Sequence, residues 1–568
     1  MFGKNKTKII LIVFLFLALP LLARADELLS EKEFFVNSSY DSNGREKITA
    51  VLQRVSGQLY FYLEKSWWES LDIEKRKEIN IGIDELAKEF ETNIYPTLTS
   101  NFGSEWKPGI DGDYRITVLV HPMVNQAAGY FSPGDEYPTA QVKDSNQREM
   151  LYLSTQSIVS SVRKGLLAHE FMHLITFNQK DKLKGVSEET WLNEGRAEYA
   201  PTLLGYDSQY GGSNLQQRVR NFLESPQNSL TEWQGNSSDY GVLNLFIQYL
   251  VDHYGKGVLI DSLHSEKIGI PSIDEALKRN GFNETFSQVF TDWTIAIFFN
   301  NCALSPKYCY LNENLKSFKV TPFIYYLPSS GESTLSIGYS TKDWSGNWQK
   351  IIGGQESLKL DFSGSSQNNF KVPYIVENSS GKFSVNFLQL DQSQKGTIYI
   401  KDGKIKSLTI IPSLQNKTSN FTDQESSSQF FWSVSSEQQP ASGGEEAAVI
   451  KELEDRIASL KLTIANLQAQ LAAVLGIKTD CSSINNNLYY GMKNSQEINC
   501  LQQFLKKQGS EIYPEGLVTG NFGNLTYLAV IRFQEKYKND ILLPAGLERG
   551  TGFVGFSTRT KINQMLTL

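Results

Sequence analysis

Residues 169–173 read His-Glu-Phe-Met-His, and 18 positions after His173 the chain reads Trp191-Leu-Asn-Glu-Gly-Arg-Ala-Glu-Tyr199. On a helix, His169 and His173 fall on one face a turn apart. Both imidazoles then reach a single Zn²⁺ while Glu170 turns toward the water such an ion holds. A catalytic zinc needs a third protein ligand, and Glu194 can provide it from a second helix, leaving the fourth position open. Glu198, one turn further on, is placed to accept the spare N–H of a ligating histidine and fix its tautomer. The bland alternative makes His169 and His173 satisfied core residues and Asn193–Glu198 a solvated helix face. With five histidines in 568 residues, chance gives the first motif in about one in several hundred such chains, and the second element lowers that further. His121, His253 and His264 are isolated and read as structural, with His253 and His264, which follow the motif, kept as candidate transition-state donors.

The order HExxH then NExxxE resembles the gluzincin metallopeptidases of the thermolysin-like clan and, more narrowly, the hyicolysin-type secreted peptidases. The narrower likeness rests on Ala128-Gly129-Tyr130-Phe131-Ser132-Pro133-Gly134-Asp135, on Arg148-Glu149-Met150-Leu151-Tyr152-Leu153, and on Trp191-Leu-Asn-Glu-Gly, and it covers roughly residues 30–300. The resemblance implies His169, His173 and Glu194 as zinc ligands, Glu170 as general base, and Glu198 as the partner of a ligand. It also implies an oxyanion donor, for which Tyr240, in Ser238-Asp239-Tyr240-Gly241, is the best candidate beside a purely structural reading. The reaction implied is hydrolysis of peptide bonds, with the substrate held as an added strand on a sheet edge. Both the Arg115–Val120 strand and the Ala127–Phe131 segment could offer that edge.

The N-terminus carries Lys4, Lys6 and Lys8, an apolar run of 14 residues from Ile9 to Leu22, and Ala23-Arg24-Ala25. That pattern fits a signal peptide over residues 1–25, with an uncleaved N-terminal anchor as the alternative. Removing its four positive charges takes the net charge from −7 to −11, which argues against nucleic-acid binding. Four cysteines form two local pairs, Cys302 with Cys309 and Cys481 with Cys500. Neither pair has CxxC spacing, so structural disulfides and an exported, extracellular or wall-associated protein are expected.

The chain reads as multidomain. Residues 26–318 form an α+β peptidase domain, two-lobed if gluzincin-like, with a helix whose stripe is Ile79, Ile83, Leu86 and Phe90 and with helices dominating up to about Asn300. Over 319–413 the pattern turns to period two, at Leu335/Ile337/Tyr339, Leu358/Leu360/Phe362 and Phe383/Val385/Phe387. Together with a hairpin turn at Asp402-Gly403, it predicts a small β-sandwich. Residues 414–445, rich in Ser, Gln and Asn, read as a flexible linker.

In 446–476 an unbroken seam of Ile450, Leu453, Ile457, Leu460, Ile464, Leu467, Leu471 and Val474 predicts a coiled coil. Ile at a and Leu at d favour a parallel dimer, whereas Arg456 facing Lys461 suits an antiparallel pair or a lone packed helix. Residues 477–568 resemble the three-helix peptidoglycan-binding domain. The likeness rests on Cys500-Leu501-Gln502, Leu505, Gly509, Gly520-Asn521-Phe522-Gly523, Thr526, Ala529-Val530 and Phe533-Gln534. The tail with Gly552, Gly555 and Thr558-Arg-Thr-Lys561 departs from the minimal module.

The expected protein is thus an exported zinc endopeptidase acting on proteins or peptides, tethered to peptidoglycan by its C-terminal domain. A peptidoglycan cross-bridge endopeptidase and a non-catalytic, adhesin-like wall binder are the alternatives.

Overall fold

Strand Ile116–His121 is apolar along nearly its whole length because both of its faces are covered, the usual situation of a strand inside a sheet with parallel neighbours. It is β4 of a six-stranded sheet in the computed structural model. The other strands are β1 (Glu31–Phe35), β2 (Lys47–Val55), β3 (Leu59–Glu64), β5 (Gly129–Phe131) and β6 (Met150–Ser154), and the spatial order is β1-β2-β3-β4-β6-β5. β3, β4 and β6 run parallel, while β1, β2 and β5 pair antiparallel to their neighbours.

Alternation decides which side chain faces which layer. Val118 and Val120 join Leu59, Phe61, Leu151 and Leu153 against helix Ile73–Glu89 and the motif helix Arg163–Thr176. Leu119 points the other way, into a second core with Tyr60, Tyr62, Met150 and Tyr152. Burial of each such side chain contributes about 1.5–3 kcal/mol. As expected, Ile79, Ile83 and Leu86 form the buried stripe of their helix. Beyond the motif helix the chain is helical, through Thr190–Leu203, Asn214–Glu224, Ser237–Tyr254, Lys256–His264, Gly269–Arg279 and Phe286–Phe299.

The structure describes residues 25–436 and 481–566, apart from 126, 329–332, 354–355, 402, 482, 494, 515 and 548. The signal-peptide and anchor readings, residues 437–445 of the expected linker, and the coiled coil at 446–476 with its self-association therefore lie outside the described residues. No helix among the described residues is long and apolar enough to cross a membrane. The chain divides into two compact units, Met1–Gln439 and Pro440–Leu568.

Within the first unit, a β-domain follows the helices. Its strands are β7 (Phe323–Tyr326), β8 (Ser333–Thr341), β9 (Gln349–Ile352), β10 (Leu358–Gly364), β11 (Phe370–Lys371), β12 (Pro373–Asn378), β13 (Phe383–Phe387), β14 (Lys395–Ile400), β15 (Ile405–Ile410), β16 (Ser413–Leu414) and β17 (Ser428–Ser436). Sheets ordered β14-β10-β17-β8 and β13-β12-β15-β9-β7 share one core of Leu360, Phe362, Val376, Leu408, Ile410, Phe430 and Trp432.

Two expectations are corrected here. The stretch 414–445 is not a linker throughout, since β17 lies between β10 and β8 with Phe430, Trp432 and Val434 buried. Its period-two apolar positions are embedded in a Ser- and Gln-rich composition, so the domain runs to Ser436. Nor does the Asp402-Gly403 turn close a hairpin. β14 pairs with β10 in one sheet, while β15 pairs with β12 and β9 in the other, so the two strands belong to different layers.

The C-terminal unit has three helices of eleven or more residues among those described, Gln496–Lys507, Asn524–Lys536 and Phe556–Leu566. Its tail proves to be a structural echo of its first half. Buried Gln502 accepts from the backbone N–H groups of Thr519 and Gly520 (2.7 and 3.0 Å) and donates to the Asn521 carbonyl and Thr526 Oγ1 (2.9 and 2.8 Å). Gln534 repeats every one of these bonds 32 residues on. It accepts from Thr551 and Gly552 (2.8 and 2.9 Å) and donates to the Phe553 carbonyl and Thr558 Oγ1 (2.8 and 2.9 Å). Both turns need a left-handed glycine, Gly520 at φ 71° and Gly552 at φ 70°. Ala529, Val530 and Phe533 are fully buried, so the motif residues are architectural. Both expected disulfides, Cys302–Cys309 and Cys481–Cys500, are formed.

Candidate active site

The motif helix buries Leu167, Phe171 and Leu174 against the first sheet. The i, i+4 geometry leaves His169 and His173 side by side toward helix Thr190–Leu203, with ring centroids 4.9 Å apart and their Nε2 atoms 3.2 Å apart. That second helix brings Glu194 to both of them. Its Oε2 lies 3.4 Å from His169 Nε2 and its Oε1 lies 3.6 Å from His173 Nε2. Ligand atoms of the three residues all fall within 4.8 Å of one another.

The far side of each imidazole is held differently. Nδ1 of His169 faces Glu198 Oε1 at 3.4 Å, whereas Nδ1 of His173 faces the amide oxygen of Asn193 at 3.1 Å. This contrast sets their charge. Burial disfavours the imidazolium in both, but the carboxylates of Glu194 and Glu198 outweigh it at His169 and push its pKa up to about 10. His173, backed by a neutral amide, stays below the ordinary histidine value because burial dominates. A proton on Nδ1 of each ring, donated to Glu198 and to Asn193, would leave Nε2 of both free to ligate a metal ion.

Glu170 sits beside them, buried. Burial, together with the nearby Glu194 and Glu198 carboxylates, raises it to about 8 against the opposing pull of His169. It also lies close to the end strand of the sheet. A Cβ on Gly129 of β5 would stand 2.7 Å from the Tyr152 carbonyl and 3.0 Å from Glu170 Oε1. Strand β4 has β3 on one side and β6 on the other, so of the two segments considered, Arg115–Val120 is excluded as a free edge and β5 provides it.

Tyr240 lies in the first turn of helix Ser237–Tyr254, whose start is fixed by a capping box between Asn236 and Asp239. Its ring is 6.4 Å from the His169 ring, meets Trp233 edge-on at 4.9 Å, and has the Arg218 guanidinium 4.5 Å over its face. Burial, with Glu194 and Glu198 adding to it, lifts its hydroxyl above the ordinary tyrosine pKa.

Arg218 was not singled out by sequence. It grips Glu198 with two hydrogen bonds of 2.7 and 2.6 Å, and Asn214, one turn earlier on the same helix, adds a third of 3.0 Å. Despite complete burial, Glu198 is held well below the usual carboxylate range by Arg218 and His169. The only sequence signal was the i, i+4 spacing of Asn214 and Arg218, which names no partner. Asn193 was visible inside Asn-Glu but carried no role.

The remaining histidines stand apart. His121 is wholly buried, 3.3 Å from Asp41, in the core on the opposite face of the sheet. His253 hydrogen-bonds the Cys309 carbonyl at 2.8 Å. It follows Tyr240 by 13 residues on one helix, about 20 Å along the axis. His264 is half-buried at the end of helix Lys256–His264.

No family model matches the chain, and no curated protein does. Among solved structures, the periplasmic inhibitor of g-type lysozyme from Aeromonas hydrophila matches at 10% identity and TM-score 0.15, covering 21% of this chain and 100% of its own. The pre-peptidase C-terminal domain of a Bacillus anthracis collagenase matches at 6% identity and TM-score 0.15, covering 20% and 96%. Infectious bursal disease virus, Gx strain, matches at 14% identity and TM-score 0.14, covering 20% and 34%. Likenesses at these scores carry no argument about fold or activity.

Proposed function

We propose that this protein is an exported zinc endopeptidase of gluzincin type that hydrolyses peptide bonds in proteins. The observation that carries the reading is the convergence of His169 Nε2, His173 Nε2 and the Glu194 carboxylate within 4.8 Å. The residues fit a zinc ion by their chemistry. Two imidazole Nε2 atoms 3.2 Å apart, with a carboxylate within 3.6 Å of both, are a donor set that zinc favours, and they stand close enough to share one ion. Glu198 and Asn193 orient the two rings from behind, as ligating histidines require.

A bound zinc supplies acidification of a water molecule and polarisation of a carbonyl. In this reading Glu170 takes the water's proton and hands it to the leaving amine. Glu170, buried beside the ligand cluster, is placed to accept that proton and return it. An extended peptide adds to the free edge of β5, where Gly129 leaves room beside Glu170. Tyr240 donates to the oxygen that gains charge, and Arg218 keeps its ring and Glu198 in place. The C-terminal unit tethers the enzyme to peptidoglycan, and two disulfides accord with an oxidising, external setting.

The test is zinc content together with cleavage of casein and of purified peptidoglycan by the wild type and by Glu170→Gln. Caseinolysis that depends on zinc and Glu170 supports the proposal. Muropeptide release without caseinolysis would replace it with a cross-bridge hydrolase, and no cleavage of either substrate would favour the adhesin-like alternative.

A further inference from the structure

Strand β7 (Phe323–Tyr326) stands at one end of the sheet ordered β13-β12-β15-β9-β7, so one of its two long edges has no neighbouring strand among those described. It runs parallel to β9, and the N–H groups of Phe323 and Leu327 donate to the Trp348 and Ile352 carbonyls, both at 2.9 Å. Backbone groups alternate in direction along a strand, so Ile324 and Tyr326 turn theirs away from β9. Phe323, Ile324 and Tyr326 are 47%, 48% and 73% exposed, which leaves that edge open. Soluble proteins usually blunt such an edge with a proline, a bulge or a charge. The strand reads Phe-Ile-Tyr-Tyr and carries none of these, with Pro322 and Pro328 only outside it.

A cleft of about 390 Å³ opens beside it, between the end of helix Phe286–Phe299 and the outer face of the same sheet. That volume lies in the lower part of the range usual for ligand sites, about 300–1,000 Å³. Ile324 and its partner across the ladder, Lys350, project onto this face, while Tyr325 packs on the sandwich core. Phe299, Val320 and Phe383 make the cleft apolar, and the charged residues among those lining it are Lys319 and Lys350. Lys350 is 3.6 Å from Glu377, but the exposed Lys319 makes no ion pair among the described residues.

We propose that β7 and this cleft dock an extended, acidic stretch of another polypeptide, which adds to β7 as a further strand, sets an apolar side chain in the cleft and brings a carboxylate to Lys319. A polypeptide backbone offers the alternating donors and acceptors that the outward groups of Ile324 and Tyr326 require, and the cleft and the lysine then select its side chains. Side chains two apart on the added strand share a face, so the ligand pattern is an apolar residue with Asp or Glu two positions away. A second copy of this chain fits less well, because its Phe-Ile-Tyr-Tyr brings no carboxylate. The site shares no residue with the His169, His173 and Glu194 cluster and does not rest on the catalytic reading. Under that reading it holds a part of the substrate protein other than the stretch laid on β5.

The test is fluorescence anisotropy with full-length protein and a labelled peptide that alternates Asp and Thr around a central Phe, so that Asp stands two positions from Phe, with its integrity checked by mass spectrometry. The expected result is saturable binding that weakens about tenfold in Ile324→Pro, which removes an outward N–H and spares the bonds from β7 to β9. Lys319→Glu, at an exposed position that puts folding at no risk, should weaken the acidic peptide about threefold or more and favour the same peptide with Lys in place of Asp. Such binding in a protein that cleaves nothing supports the proposal all the same. Absence of saturable binding to the wild type overturns it, as does binding unchanged in both variants. Binding lost in Gly129→Ala but kept in Ile324→Pro overturns it too, because the peptide then lies on β5. A dimer in sedimentation velocity that Ile324→Pro disperses, without peptide binding, overturns it in favour of a second copy.

Discussion

Glu198 and Arg218 form a two-bond ion pair, 2.7 and 2.6 Å long, directly behind a candidate ligand, and the Glu198 oxygen at the shorter bond also faces Nδ1 of His169 at 3.4 Å. Arg218 in turn covers the ring of Tyr240. One guanidinium therefore connects the imidazole that would hold the metal with the phenol that would meet the substrate.

Replacing Arg218 with Met leaves Glu198, 0% exposed, buried against a neutral neighbour. Breaking a buried pair from one side costs about 3–5 kcal/mol. The orientation of His169 should suffer as well, with zinc affinity falling about 10- to 100-fold. Chelator competition on the refolded variant checks this, and an unaltered zinc affinity would show that His169 is oriented by something else.

Tyr240→Phe removes only the hydroxyl. If that group donates to the developing oxyanion, kcat should fall by about 10²-fold or more with KM and zinc content unchanged. An unchanged kcat assigns Tyr240 a purely packing role under Trp233 and Arg218.

Gly129→Ala places a methyl 2.7 Å from the Tyr152 carbonyl and 3.0 Å from Glu170 Oε1. Either the edge strand or the base must shift, and displacement of about 1 Å at a reacting group can cost about 10²-fold. Activity should drop by at least tenfold while zinc is retained, so steady-state kinetics alongside metal analysis separates this from loss of the site.

How much of this was legible in sequence follows from the range of each interaction. His169, Glu170 and His173 are within one helical turn, and Glu194 and Glu198 are one turn apart on the next helix, so local periodicity places them. Arg218 meets Glu198 only through tertiary packing across 20 residues, and nothing local to either announces the other. β17 was obscured by composition, because Gln429, Ser433 and Ser435 stand on the outward face of a strand whose inward face carries Phe430, Trp432 and Val434 between two further serines. Asp402-Gly403 has the residue chemistry of a hairpin turn, but β14 and β15 on either side of it belong to different sheets. The repeat linking Gln502 to Gln534 is faint in sequence because it survives mainly in hydrogen bonds, with Phe553 in the place of Asn521 and Lys561 in that of Ala529.

Acid stability offers a check on the fold away from the candidate site. Asp41 is 2% exposed, and although burial opposes its charge, Arg45 lowers it from 3.8 to about 2. A depressed folded-state pKa means stability that is present above pH 3.8 and lost as pH falls toward 2. The shift is worth about 2 kcal/mol. Denaturant melts of Asp41→Asn should show that loss at pH 7 and a smaller difference from the wild type near pH 2. A constant difference across that window would mean the Asp41 charge does not matter.

The central claim is that Glu170 acts on water while His169, His173 and Glu194 hold the metal, and the most direct measurement is zinc stoichiometry and peptidase rate on one preparation of Glu170→Gln. The account predicts about one zinc per chain, as in the wild type, with activity lower by several orders of magnitude, whereas His173→Ala and Glu194→Ala lose the metal too. Near-normal peptidase activity in Glu170→Gln, or a wild-type protein that cleaves without binding zinc, would contradict it.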